Sequence, residues 1–134
     1  MHRRHALLGL AALALTACAT QGGYTPAYLN GTVSLATASP LERAGSMVRV
    51  SLLDVSHSDA PPRVLAEQYL EQPPTFPVGF SLCYDRHAIQ ADGRYVVEAR
   101  LFVDGELRLV SREPRRVLDG STGPTEIRVE PVAR

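Results

Sequence analysis

The stretch "RYVVEARLFVDGELRLV", residues 94–110, decides the fold. Tyr95, Val97, Ala99, Leu101 and Val103 share one side of an extended chain, and Val96, Glu98, Arg100 and Phe102 share the other. Successive side chains of a strand point to opposite faces, so the pattern predicts a half-buried strand. Asp104-Gly105 follows at once, and Leu107 and Leu109 resume the alternation. A two-residue type I′ turn needs positive φ at both central positions, which this pair tolerates. The stretch predicts a β-hairpin.

Further strands lie on both sides. "GTVSLA" (31–36) puts Val33 and Leu35 together. In "SMVRVSLLDVS" (46–56), Val48, Val50 and Leu52 share a face, and the apolar positions then shift to Leu53 and Val55. A β-bulge explains such a shift. "RVLAEQYL" (63–70) fits both alternation and helical spacing; Pro61, Pro62, Pro73 and Pro74 bracket it and favour a strand. "TFPVGFSLCY" (75–84) aligns Phe76, Val78, Phe80, Leu82 and Tyr84. Pro77 cannot donate to a ladder, so Thr75–Val78 belongs at a sheet edge. "TEIRVEPVA" (125–133) aligns Ile127 and Val129. Seven or eight short strands without a long amphipathic helix predict an all-β domain, a small antiparallel β-sandwich or small barrel. Its core is expected to draw on Tyr95, Val97, Leu101, Phe76 and Phe80.

The N-terminus has a different character. Arg3 and Arg4 precede "ALLGLAALALTA" (6–17), an uncharged run of about 12 residues, too short for the roughly 20 that span a bilayer. A charged start, a short apolar run and small residues before a cut site make a secretory signal peptide. Leu15, Thr16, Ala17 and Cys18 resemble the bacterial lipoprotein box. That resemblance implies a diacylglycerol on the Cys18 sulfur, cleavage before Cys18 and acylation of the new amino group. A thiolate suits this alkylation. Each buried methylene contributes about 0.8 kcal/mol, so two or three chains anchor durably where one does not. Ala19 and Thr20 follow. No Asp stands in the second mature position, which implies the periplasmic face of the outer membrane. The expected organisation is a signal peptide at 1–17, lipidated Cys18 with a flexible tether at 18–30, and one β domain at 31–134.

Composition excludes other classes. Removing Arg3 and Arg4 from 14 basic residues leaves 12 against 14 acidic ones, a net charge of −2. No basic stripe is present, which argues against nucleic-acid binding. Cys83 is left without a partner once Cys18 carries lipid, and a lone thiol of this kind reads as a small buried hydrophobe. "LLDVSHSDA" gathers Asp54, Ser56, His57, Ser58 and Asp59. Those residue types suit a metal site or a His57 base for Ser56, but Asp and Ser also bond their own backbone in turns, the simpler reading. Asp85, Arg86 and His87 read as a solvated loop. No nucleophile elbow, phosphate loop or cofactor fingerprint occurs, so no catalytic, cofactor-binding or metal residue is assigned.

Three segments together resemble the YbaY/YscW-like lipoproteins. They are residues 31–70, "PPTFPVGFSLCYD" (73–85) and "GRYVVEARLFVDGELRLVSREPRRVL" (93–118). The resemblance implies a small β-sandwich. Its YscW branch comprises pilotins, which help type III secretion secretins reach the outer membrane. The plain layout of signal and single domain looks more like the YbaY branch, for which no biochemical role is implied. The leading expectation is a non-enzymatic lipoprotein that binds a protein client, through a free sheet edge away from Pro77. An envelope-maintenance role is the second. A small-molecule or glycan binder, or a weak hydrolase acting on envelope polysaccharide, is the third, disfavoured by few aromatics and a chain without Trp.

Overall fold

The computed structural model describes residues 23–36, 44–121 and 123–132. The expected signal peptide and the expected lipid site at Cys18 lie outside them. The strands are β1 Pro26–Leu35, β2 Ser46–Asp54, β3 Arg63–Glu71, β4 Val78–Asp85, β5 Tyr95–Val103, β6 Glu106–Val110, β7 Arg115–Val117 and β8 Thr125–Pro131. One turn of 3-10 helix, Arg86–Ala88, follows β4. Among the described residues there is no α-helix. The expected all-β fold is the one observed.

The strand order is β3-β2-β5-β6-β8-β1-β4, with β7 also paired to β5. The terminal strands β3 and β4 lie side by side, so the sheet curls into a nearly closed barrel. Neighbours are antiparallel except β1 and β8, which run parallel from Gly31↔Thr125 to Leu35↔Val129. That pair departs from the wholly antiparallel expectation. The first and last strands enter the barrel from the same end, a geometry that only a long crossover connection allows.

The central hairpin forms as its residues dictate. Asp104 and Gly105 take φ of 51° and 81°. Val103 faces Glu106 across the turn. The irregularity near Leu53 also exists, but on the partner strand: β2 pairs with β5 without interruption, whereas against β3 the register skips Leu65. β2 therefore keeps its alternation, and Leu53 is buried between its neighbours Val64 and Val96.

The interior is filled from every long strand except β3. Val48, Val50 and Leu52, then Val97, Ala99 and Leu101, are fully buried, joined by Phe80, Leu82, Ile127 and Val129. Burying one such side chain contributes about 1.5–3 kcal/mol. Phe76, expected in this core, only packs half-buried against it, because β4 starts at Val78. Gly31 lies under the Phe80 ring, where a Cβ would strike that ring and the Thr125 carbonyl. Ser111 fills the gap between β6 and β7: its hydroxyl accepts from the Ala99 amide at 3.0 Å and donates to the Ala99 carbonyl at 3.3 Å.

β1 begins at Pro26, ahead of the expected domain start at Gly31, and Pro26–Asn30 pairs in register with Ser81–Asp85. Five residues of the tether expected over 18–30 therefore lie in a strand. Ala27 points into the core, but it sits among polar and Pro residues that hide the alternation.

Candidate functional site

β3 and β4 follow one another in sequence and lie adjacent in space, yet among the described residues no ladder joins them. One side chain spans the seam instead: Gln68 Oε1 accepts the Ser81 amide at 2.7 Å. The connection explains the mismatch. Residues 72–77 hold Pro73, Pro74 and Pro77, and Gln72 takes a φ of 46°. Prolines lack the N–H that a tight hairpin would use. The Gln72 amide goes to the Ser46 carbonyl on β2 at 2.9 Å, which turns the chain away from β4.

β3 has no fully buried residue. Val64 and Tyr69 are each 54% exposed, whereas Val48, Val50 and Leu52 on the neighbouring β2 are 0% exposed. The Tyr69 hydroxyl donates to Glu67 at 2.8 Å, and the Glu67 carboxylate holds the phenol above its usual range. Glu67 also lies 3.8 Å from the Arg49 guanidinium, which rests on the Phe102 ring. The arrangement offers strand edges and flanking side chains. An incoming extended segment is what such edges recognise, with backbone hydrogen bonds for affinity and side chains for specificity. Of the edge expected at Thr75–Val78 only Val78 belongs to a strand, as the first residue of β4, and the opposite edge, β3, lies right beside β4.

The residues singled out for chemistry are occupied in turns. Asp54 accepts from the Ser56 amide at 2.9 Å, and hydrogen bonding from the Ser56 hydroxyl and then from this amide holds its carboxyl below the usual range. The Ser56 hydroxyl accepts the Arg94 amide at 2.9 Å, tying the loop to the start of β5. His57 and Asp59 are exposed. Among the described residues no three His, Cys, Asp or Glu side chains gather as a metal site would need. Asp85 accepts from the amides of Thr25 and His87, both at 3.0 Å, and is held low chiefly by the first. Cys83 is exposed rather than buried. β4 turns Phe80, Leu82 and Tyr84 inward, so the alternation sends Cys83 out.

An open cleft of about 820 Å³ lies beside β7 and β8. Arg112, Arg115, Arg116 and Arg128 line it together with Glu113, Asp119, Glu126 and Glu130, and Arg112 bonds Glu130 at 2.7 Å. Both charge signs were visible in "SREPRR" and "TEIRVE", but their meeting across the sheet was not. Near-equal numbers of opposite charges give the cleft no preference for an anion or a cation.

Comparison with known proteins now bears on the whole barrel. The model of the type III secretion system lipoprotein chaperone, YscW, matches residues 25–129. A solved alternative pilotin from the type II secretion system of Vibrio cholerae is similar at 31% identity, with a TM-score of 0.74. The similarity covers 82% of this chain and 100% of that one. The comparison with curated proteins finds no match. The family match takes in β1 to β7 and most of β8, and it is the pilotin branch of the resemblance that it identifies. The chain belongs to the YscW family of secretion-system lipoprotein chaperones.

Proposed function

We propose that this protein is a non-enzymatic, pilotin-like chaperone. Acylated Cys18 holds it at the periplasmic face of the outer membrane, and it escorts a secretin-type client that binds at the β3–β4 seam. The family and its pilotin neighbour support a secretion-related protein-binding role. One observation carries the seam: a strand edge that has a neighbour but no ladder, with Gln68 standing in for a backbone acceptor. A client strand takes over the Ser81 amide and displaces the Gln68 side chain. Exchanging one hydrogen bond for another costs little, and the client adds its own backbone bonds and the burial of Val64 and Tyr69.

Two variants with opposite effects test it. The Ser81 amide points into the seam, so Ser81→Pro removes a seam donor and sets a pyrrolidine ring in its place. Gln68→Ala leaves that donor open. In the native host, with folding verified by circular dichroism, Ser81→Pro is expected to lower secretin recovery in outer-membrane fractions at least tenfold. Gln68→Ala is expected to match or exceed the wild type. Wild-type recovery in a folded Ser81→Pro variant would refute the seam as the client site.

A further inference from the structure

The second exposed apolar surface lies where the chain enters the barrel. Tyr28 is 65% exposed and Tyr24 44%. Tyr28 stands opposite Cys83 in the β1–β4 ladder, and the Tyr24 hydroxyl lies 3.7 Å from the Cys83 sulfur. Pro26 is also exposed between them. This half of β1 has β4 on one flank, while pairing with β8 begins only at Gly31. The two strands thus form a ribbon beyond the rest of the sheet, with the tyrosines on its outer face. At its end the Arg86 amide donates to the Thr25 carbonyl at 2.8 Å, which sets exposed Arg86 and His87 beside the patch. Asp85, the nearest acid, is turned to the amides of Thr25 and His87.

The chain itself says what covers this patch. Tyr24 lies six residue steps along the chain from Cys18. At 3.3–3.6 Å per residue these steps reach at most about 22 Å. Acylated Cys18 therefore keeps the patch within that distance of the headgroups whatever the barrel's orientation. Tyrosine, with an apolar ring and a polar tip, suits the boundary between headgroups and acyl chains. A guanidinium beside it reaches lipid phosphates while its stem lies on apolar surface.

We infer that the Tyr24–Tyr28 face docks on the bilayer surface as a second contact beside the lipid anchor and fixes the barrel's orientation there. The inference rests on the reading of Cys18 as acylated. It gives the seam a defined place: Cys83 is two strand residues, about 7 Å, from Ser81. Docking holds the client edge beside the membrane that the client must enter.

Photocrosslinking in the native envelope tests this with the full-length chain. A benzophenone side chain is installed as Tyr28→p-benzoylphenylalanine, and at Glu106 as a control. The control site lies at the opposite end of the barrel, since Ser46 pairs with Val103 beside the hairpin and also bonds Gln72 before β4 begins. Position 28 is expected to give phospholipid adducts at least fivefold above position 106, and Tyr24→Ser to lower that yield at least threefold. Acylation of Cys18 is read from the intact mass of the same sample. Acylated chains with equal lipid yields at both positions would overturn docking alone. So would a protein adduct at position 28, which would make the patch a client surface. An unacylated Cys18 would overturn the anchor and docking together.

Discussion

Phe80 shows how much one residue carries. It is 4% exposed, it covers Gly31, and it belongs to the strand whose far edge lines the seam. Truncating a buried aromatic to Ala typically costs about 3–5 kcal/mol against a total of roughly 5–15. Phe80→Ala is expected to unfold or nearly unfold the barrel, as a melt followed by circular dichroism would record. His57 is exposed, and its carbonyl accepts the Ala60 amide at 3.3 Å. His57→Ala is expected to stay within about 0.5 kcal/mol of the wild type, with or without a strong chelator. A chelator-dependent melting temperature that vanishes in His57→Ala would restore a metal site there.

At the scale of elements, the turns share one device. Asp54, Asp85 and Asp119 each accept from the residue two positions on, Asp85 also from the Thr25 amide, and each carboxyl is held below its usual range chiefly by the hydrogen bonds it accepts. A depressed folded pKa contributes stability that is fully present above the unfolded value, about 3.9, and is lost as pH falls through the lower folded values. The melting temperature is therefore expected to be insensitive to these groups from pH 7 to about 5 and to fall below pH 4. Asp85→Asn is expected to shrink that acid drop, and an unchanged profile would remove Asp85 from the account. Elements were also what the sequence displayed best. The 95–109 hairpin was legible because its period-two pattern and its Asp-Gly turn agree. The β3 assignment rested on flanking prolines and came out as a strand. Cys83 was misjudged from the habits of lone thiols, although Leu82 and Tyr84 on either side had already fixed it outward. Pro26–Asn30 was read as tether because one inward residue, Ala27, is too weak a signal against its Pro and polar neighbours.

For the whole molecule, what the sequence withheld is closure. Periodicity shows which face of each strand is buried, but not which edges meet. Nothing in residues 63–85 announces that β3 and β4 lie together unpaired, because that depends on barrel curvature and on a proline-rich connection bonded to β2. The charge-balanced cleft was hidden for the same reason. The resulting molecule is a packed barrel whose β3–β4 joint has no ladder among the described residues. Its long strands bury their faces fully, while β3 contributes only half-buried contacts from Leu65, Ala66 and Leu70. Local opening free energies follow such differences in buried contact, so the seam is where the fold opens most easily. The most direct measurement is amide hydrogen exchange of the full-length chain, free and with a secretin client. The account predicts strong new protection at Ser81 and along β3 on client binding, with β5 and β6 unchanged. Protection that leaves the seam untouched and falls on the charged cleft at Arg115, Arg116 and Arg128 would contradict it.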